Sequence, residues 1–290
     1  MEKTAILFKT HFINRFIRSR YQKLLDSCPD SDVWFLLNGD EVPNAKYDWI
    51  KRLFVYNSQK VRECGYPFKD FWFCAHYPAL LFYLENPGYD YYWMIEYDVD
   101  YTGQWQKLIS SFGNEDLLAV YVKPYVQEPD WYWWSSATEL HANVPRDFWL
   151  MAFLPIARFS NKALKTLDEY HLKGYYGYCE STVPTLLNWA GLTVRDLNKS
   201  IQSKDELYSK KTLFWGKGYV RITIKKKDML YHPDYGGAQM ITLGIRNTLI
   251  PIGIRNFISR CLSKGKSALR RMPGVSKIRA TKIALKKLFG

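Results

Sequence analysis

The chain has 290 residues, of which 47% are hydrophobic and 17% aromatic, enough for one α/β catalytic domain with a large core and an appendage. Its five cysteines are scattered, which argues against a zinc site and a disulfide framework, and neither a signal peptide nor a membrane span of about 18 apolar residues is predicted. The formal net charge is +13, and residues 245–290 carry twelve of these charges without one Asp or Glu. We therefore expect a cytoplasmic protein with a nearly neutral body and a basic tail.

The first elements in chain order predict a βαβ unit. Residues 4–8 are a predicted strand, residues 11–25 a helix whose Arg and Lys side chains (Arg15, Arg18, Arg20 and Lys23) lie on an exposed face, and residues 33–37 a second buried strand. This order and spacing indicate a parallel sheet. A second helix is predicted over residues 76–85.

Three carboxylates follow the next predicted strand. Residues 91–95 form an unbroken apolar run, typical of a strand buried on both faces, and Glu96, Asp98 and Asp100 come next at alternate positions. Alternate residues of extended backbone share one face, so we expect these carboxylates together at the carboxyl end of a central strand, where open α/β sheets bind ligands. A hard divalent cation carrying substrate phosphates would relieve their repulsion. A solvated turn with capping roles is the alternative.

The second half of the chain predicts further elements and a boundary. These elements are strands over 117–122, 148–156 and 219–224, a Trp-rich loop over 125–136, a helix from its Ser160 cap to about residue 172, and a short helix that begins at Glu180. The composition changes near Thr242. We therefore expect a catalytic domain over residues 1–240 and a basic amphipathic helical tail over residues 241–290.

The segment from residue 96 to residue 103 resembles known sequence patterns. Asp-Val-Asp after a buried strand is similar to the Asp-x-Asp motif of GT-A glycosyltransferases, including bacterial cell-surface polysaccharide transferases. The whole segment, followed by Trp105, also resembles a group of microbial proteins with a Glu-Tyr-Asp-Val-x-Tyr-Thr-Gly signature. The resemblance covers about residues 1–240. It implies a GT-A-like, Rossmann-type single α/β domain with a mostly parallel central sheet, Mn²⁺ or Mg²⁺, and a nucleotide-sugar donor, with a UDP-sugar as the first choice.

The resemblance also implies roles for individual residues at the metal. Asp98 and Asp100 are the predicted ligands of the metal or the nucleotide, and Glu96 supports them or the donor. Glu96 is equally compatible with a strand carboxylate that pairs with an arginine. GT-A enzymes often complete the metal ligands with a late histidine, which here is His232, although a histidine in an ordinary turn before proline fits as well. The other histidines (His11, His76, His141 and His171) have weaker contexts.

Glu180 is the predicted general base, because it opens a helix after a Gly/Tyr-rich loop, where acceptor-side carboxylates lie in many GT-A folds. The alternative is that Glu180 only stabilises the helix, because a negative charge in the first turn interacts favourably with the helix dipole. Asp130 and Glu139 are the second choices for the base. Thr10, on the loop after the first strand, is predicted from its position to contact the nucleotide.

Three tryptophans are predicted to contact the acceptor, namely Trp131, Trp133 and Trp134. Their density is unusual for a solvent loop, and tryptophan rings pack well on the C–H faces of sugars or on lipid. The alternative is a buried tryptophan cluster.

The tail is predicted to form an amphipathic helix that lies on an anionic membrane. Apolar residues recur at helical spacing (Ile254, Phe257, Ile258, Cys261 and Leu262), and basic residues flank them (Arg255, Arg260 and Lys264). Nucleic acid is a less favoured partner, because phosphate binding does not require the apolar stripe. Packing of the stripe on the catalytic domain is a third possibility.

Together these features predict a metal-dependent glycosyltransferase that is peripheral on the inner face of the cell membrane. It would move a sugar from a nucleotide-sugar to a lipid-linked or polysaccharide acceptor. One alternative is a metal-dependent phosphotransferase or nucleotide hydrolase that uses the same carboxylates. Another is a non-catalytic nucleic-acid or membrane-binding protein.

Overall fold

The computed structural model describes residues 2–42, 47–136, 138–200, 208–209 and 227–234. All of them belong to one compact unit of the chain. The strand predicted over residues 219–224 and the tail predicted over residues 241–290 lie outside the described residues. No helix in the described ranges is long and apolar enough to cross a membrane.

The central sheet has seven strands in the order β3-β2-β1-β4-β7-β6-β8. All neighbouring pairs are parallel except those of β7, which is antiparallel to β4 and to β6. The strands are β1 (Thr4–Thr10), β2 (Asp32–Asn38), β3 (Leu53–Tyr56), β4 (Tyr91–Glu96), β6 (Leu117–Pro124), β7 (Leu150–Ser160) and β8 (Val194–Asp196). The mostly parallel α/β sheet predicted from the sequence is confirmed.

The helices of this domain are α1 (Arg15–Ser27), α2 (Ser58–Glu63), α3 (Tyr77–Glu85), α4 (Trp105–Ile109), α5 (Thr138–Asn143), α6 (Asn161–Leu172), α7 (Cys179–Trp189) and α8 (Leu197–Ser200). Two helix starts show why these segments fold as they do. The Asn14 side chain accepts a hydrogen bond from the Ile17 backbone N–H at 2.9 Å, and the Ser160 hydroxyl caps α6 by accepting from Ala163 at 3.0 Å. The predicted Ser160 cap is confirmed, whereas the first helix begins at Arg15 and not at His11.

Both faces of the central sheet are covered, which explains the unbroken apolar runs. Along β1, Ala5 and Leu7 join a core cluster with residues of α3, α6 and α7, whereas Ile6 and Phe8 join a second cluster with residues of α1 and α4. Alternate side chains of a strand point to opposite faces. A strand between two helical layers is therefore apolar at every position.

A second, three-stranded sheet brings a distant segment to the end of β4. It consists of β5 (Asp100–Tyr101), β10 (Leu230–Tyr231) and β9 (Tyr208–Ser209), in the order β5-β10-β9. The predicted common face for the three carboxylates is wrong, because β4 ends at Glu96. The chain turns there, with a hydrogen bond of 3.0 Å from the Val99 N–H to the Glu96 carbonyl, and Asp100 begins β5 in the other sheet.

Candidate functional site

The candidate site lies where the parallel strands β1 and β4 end. Lys9 of β1 is in register with Glu96 of β4, so both side chains lie at the carboxyl edge of adjacent central strands. This is the edge at which open α/β sheets bind ligands. Segment 227–234 reaches the same edge through the pairing of β10 with β5.

Glu96, Asp98 and His232 come together as a possible metal-ligand group. One ligand atom from each of them lies within 4.8 Å of the other two. The His232 Nε2 atom is 3.4 Å from Asp98 Oδ1 and 3.8 Å from Glu96 Oε2. The Phe153 ring packs against the imidazole in an edge-to-face arrangement, with ring centroids 5.2 Å apart.

These residues fit a divalent cation. Asp98 Oδ1 is fully buried and makes no hydrogen bond within the described part of the chain. His232 is the ion-pair partner of this oxygen, with its Nε2 atom 3.4 Å away. Because a buried acceptor oxygen that forms no hydrogen bond is costly, a divalent cation next to it would stabilise it further. Two carboxylates and one imidazole also match the donor types that Mn²⁺ accepts, because carboxylates suit hard divalent ions and histidine suits transition metals.

Neighbouring charges keep this group ionised. Burial raises the pKa of Glu96, but Lys9 and His232 outweigh burial and lower it to about 2. The Lys9 Nζ atom lies 2.7 Å from Glu96 Oε1 and donates to the Ala75 carbonyl at 3.1 Å. Burial also disfavours the charged form of His232 and so lowers its pKa, but Asp98 and Glu96 outweigh burial and raise this pKa to about 9. His232 is therefore protonated at neutral pH in this structure and offsets part of the carboxylate charge.

Asp100 lies apart from these three ligand candidates. Its carboxylate contacts the Arg20 guanidinium and lies 2.8 Å from Lys23 Nζ. Arg20 also contacts Asp234, so one guanidinium bridges two carboxylates. The structure therefore gives the predicted metal role of Asp100 no support from geometry, while it brings Asp98 and His232 together with Glu96.

Glu180 lies in the first turn of α7 and interacts electrostatically with the metal-ligand candidates. Burial raises the pKa of its carboxyl group, repulsion from Glu96 raises it further, and the result is about 8. A hydrogen bond from the Leu154 backbone and the charge of His232 act in the opposite direction. A carboxyl group that titrates near neutral pH suits general acid–base chemistry.

The predicted tryptophans differ in burial: one lies in the core, and two lie at its partly exposed edge, which we call the aromatic rim. Trp134 is buried, and its indole N–H donates to the Glu128 carbonyl at 2.8 Å, so it belongs to the core. Trp131 and Trp133 are partly buried against that core. Trp133 stacks on Tyr178 with ring centroids 4.3 Å apart, and Tyr178 directly precedes the helix that carries Glu180.

Trp72 extends this aromatic rim and was not predicted from the sequence. Its side chain is 61% exposed, and its ring centroid lies 5.4 Å from that of Trp133 and 5.2 Å from that of Tyr178. Tyr132, which is 73% exposed, packs edge to face with Trp133, with ring centroids 4.8 Å apart. Sequence separation hides this group, because Trp72 is far from the Trp-rich loop along the chain.

The other predicted candidates have local roles or lie elsewhere. Thr10 is buried at the end of β1, where its hydroxyl donates to the Phe12 carbonyl at 2.9 Å; its predicted nucleotide contact stays a prediction. Asp130 is exposed, and the side chains of Glu139 and His141 lie outside the described residues. His11 is exposed at the end of β1, where its ring packs on Phe12 and Tyr97.

His76, at the N-terminal cap of α3, and His171, on α6, form a buried pair. Their Nε2 atoms lie 2.8 Å apart, and His171 Nδ1 lies 2.9 Å from the Tyr175 carbonyl oxygen. Burial lowers the pKa of both imidazoles. Both rings are therefore neutral at neutral pH, and they link α3 to α6 as core residues.

Sequence reasoning missed the cations of this site. Lys9 gave a usable signal, since it is the one charged residue of the apolar strand β1 and lies near its carboxyl end. Arg20 and Lys23 gave none, because charged residues on an amphipathic helix are ordinarily exposed. The prediction that Arg20 is exposed is wrong, since only 13% of its side chain is accessible.

No protein-family model matches the chain, and no curated protein matches it. Among solved structures, the chain is similar to the galactosyltransferase LgtC in complex with donor and acceptor sugar analogs, with a TM-score of 0.42 and 11% identity over 87% of this chain and 99% of that one. It is also similar to a putative glucose-1-phosphate thymidylyltransferase from Bacillus anthracis, with a TM-score of 0.39 and 12% identity over 67% of this chain and 86% of that one. A third similarity is to CMP:2-keto-3-deoxy-manno-octonic acid synthetase, with a TM-score of 0.37 and 10% identity over 67% and 88%.

With TM-scores of 0.42 and below, the likeness by itself assigns neither an activity nor a substrate to this chain. Such an assignment depends on the residues of the site.

Proposed function

We propose that this protein is a glycosyltransferase that moves a sugar from a nucleotide-sugar to an acceptor with the help of a divalent cation. The observation that carries the proposal is the convergence of Glu96, Asp98 and His232 at the carboxyl edge of β4, with Asp98 Oδ1 buried and without a hydrogen-bond donor in the described residues. We assign these three residues as the metal ligands. Mn²⁺ is the first choice and Mg²⁺ the second, because the group includes an imidazole.

A divalent ion bound here would neutralise the charge that develops on the departing nucleoside diphosphate. The protein's own residues set the charge and the orientation of the proposed ligands. Lys9 keeps Glu96 ionised and fixes the direction of its carboxylate. Asp98 supplies a second carboxylate, with His232 Nε2 3.4 Å from its Oδ1 atom. His232 must lose its proton before its Nε2 atom can act as a ligand, so we expect metal binding to release a proton.

Glu180 is the proposed general base for the acceptor hydroxyl. It interacts with both Glu96 and His232, and its pKa of about 8 allows proton exchange near neutral pH. An added positive charge nearby would lower this pKa and increase the ionised fraction. The metal would thus help to prepare the base.

The acceptor is proposed to lie on the aromatic rim of Trp72, Tyr132 and Trp133. Exposed aromatic rings offer flat apolar faces of the kind that pack on sugar C–H groups. The rim adjoins Tyr178 and is therefore next to the start of α7, where Glu180 lies. A lipid-linked or polysaccharide acceptor fits this arrangement, and the basic tail would keep such an acceptor close by holding the protein at an anionic membrane.

A product assay tests this proposal. The purified full chain is incubated with Mn²⁺, a panel of UDP-sugars and an extract of lipid-linked and polysaccharide acceptors, and the released UDP and the new glycosidic product are measured. We expect product only with metal, and at least a ~10²-fold loss in Asp98→Asn, because the ligand group acts as a unit. Asp26→Asn, an exposed aspartate on α1, is the matched control and should retain full activity.

The outcomes separate the candidate functions. Release of phosphate instead of a glycosidic product would indicate a phosphotransferase or nucleotide hydrolase that uses the same site. Metal-independent transfer, or full activity in Asp98→Asn, would contradict the metal assignment.

A further inference from the structure

The candidate site combines two segments that are distant in sequence, residues 98–102 and residues 229–234. We call the contact between these two segments the joint. Asp98 lies in the turn after β4, and His232 follows β10. Two hydrogen bonds connect their backbones directly: the Asp234 N–H donates to the Asp98 carbonyl at 2.6 Å, and the Thr102 N–H donates to the Met229 carbonyl at 3.0 Å. The distance between the two candidate ligands therefore depends on how firmly these segments are held together.

Arg20 closes this joint from a third element. Its guanidinium, on α1, contacts the carboxylates of Asp100 and Asp234 at the same time. Asp100 is two residues after Asp98, and Asp234 is two residues after His232. The side chains of Asp100 and Asp234 are each only 8% exposed, so this bridge is largely shielded from solvent and weakly screened by salt.

The chemistry of the bridge requires an arginine. A guanidinium has a planar fork of donors that can serve two carboxylates at fixed angles, whereas an ammonium group acts as a compact point charge. Lys23 adds a second cation, with its Nζ atom 2.8 Å from Asp100 Oδ1 and 2.7 Å from the Tyr101 carbonyl. Two cations thus face two carboxylates, so Asp100 and Asp234 are compensated by the protein itself.

We infer that Arg20 is a positioning residue of the metal site: by holding Asp100 and Asp234 on one guanidinium, it fixes His232 opposite Asp98. The metal part of this inference rests on the proposed function. Groups that orient metal ligands typically change metal affinity by about 10- to 100-fold when they are removed. The joint itself, however, is a property of the chain and can be measured without metal.

The affinity test compares two arginines of the same helix. Arg20→Met removes the bridge and keeps much of the aliphatic stem, and we expect it to weaken Mn²⁺ binding in a calorimetric titration by about 10- to 100-fold. Arg18→Met is the matched control, because Arg18 lies over the Trp49 ring, 5.3 Å from its centroid, and does not contact the joint; its Mn²⁺ affinity should be unchanged. Arg20→Lys should restore the affinity only in part, since it cannot bridge two carboxylates.

The metal-free test is hydrogen exchange in EDTA. In Arg20→Met we expect faster exchange of the amides at Thr102 and Asp234, which close the joint, with unchanged protection in β1 and β4. If this variant does not fold, Asp234→Asn serves in its place, because it removes one end of the bridge and leaves no buried charge on Asp234.

The outcomes distinguish this inference from the proposed function. If the wild type binds no Mn²⁺, the proposed metal site is wrong, and the exchange data alone decide whether Arg20 holds the joint. If the wild type binds Mn²⁺ and Arg20→Met binds it equally well, the positioning role is wrong. Uniform loss of protection across the domain would also overturn it, because Arg20 would then be a general stabilising residue.

Discussion

Replacing Glu180 with glutamine should make the protein more stable and much less active. Glutamine has nearly the same shape as a protonated glutamate but never ionises. Because burial and the charge of Glu96 raise the pKa of Glu180 to about 8, ionisation of this carboxyl group opposes folding. The same ionisation is required of a general base. The substitution should therefore separate the effect of Glu180 on stability from its effect on turnover.

The stability gain follows from the pKa and has a definite sign with pH. The ordinary value is 4.5 and the value in the folded protein is about 8, so the unfolded chain loses this proton at a lower pH than the folded one. Between these values, each rise in pH destabilises the wild type relative to Glu180→Gln. Linkage gives about 1 kcal/mol at pH 5, about 3 kcal/mol at pH 7 and nearly 5 kcal/mol at pH 9, as upper figures because the side chain is partly exposed.

Urea unfolding in EDTA at these three pH values measures the gain. Taking the difference between variant and wild type cancels the titration of the other groups. Glu169→Gln, an exposed glutamate on α6, is the control and should show a difference near zero at every pH. Turnover of Glu180→Gln should fall by roughly 10²-fold or more with little change in donor affinity. A stability difference that does not grow with pH would show that the pKa of Glu180 is not raised by burial and by Glu96. Turnover of Glu180→Gln equal to that of the wild type would show that Glu180 is not the general base.

Three further predictions concern the acceptor and the tail. Trp72→Ala should raise the acceptor KM while the donor KM stays unchanged, whereas Val126→Ala, an exposed apolar residue outside the rim, should change neither; equal acceptor KM values would remove Trp72 from the acceptor site. A chain that ends at Gly244 should remain folded but lose binding to vesicles that contain anionic lipid, because twelve basic residues and the apolar stripe are removed. Replacing Phe257 and Ile258 with Ser should weaken vesicle binding with all charges kept, and a lower melting temperature of the shortened chain would instead indicate that the tail packs on the domain.

Local patterns were sufficient for much of the fold. The strand, helix, strand order at the start of the chain predicted β1, α1 and β2 as a parallel unit, because the two strands are short apolar runs, the segment between them is amphipathic, and the connections are short. Ser160 predicted the start of α6 for the same reason, since a cap acts on its own turn. β3 was missed because a strand of four residues carries too little periodicity.

The site could be predicted only in part, because its geometry depends on contacts between distant residues. The apolar run followed by carboxylates correctly marked the end of β4, and His232 was identified from its resemblance to late GT-A histidines. Which carboxylates lie near His232 depends on where β4 stops, and the turn after Glu96 places Glu96 and Asp98, instead of Asp98 and Asp100, in the candidate ligand group. Asp100 then pairs with Arg20, a contact between residues 80 positions apart that no periodicity reveals.

The assignment of Glu96, Asp98 and His232 as metal ligands is tested most directly by pulsed electron paramagnetic resonance of bound Mn²⁺. The wild type with one equivalent of Mn²⁺ should show the nitrogen coupling of a single imidazole ligand, and this coupling should disappear in His232→Gln while it persists in His11→Gln. Bound Mn²⁺ without nitrogen coupling, or a coupling that survives His232→Gln, would contradict the assignment.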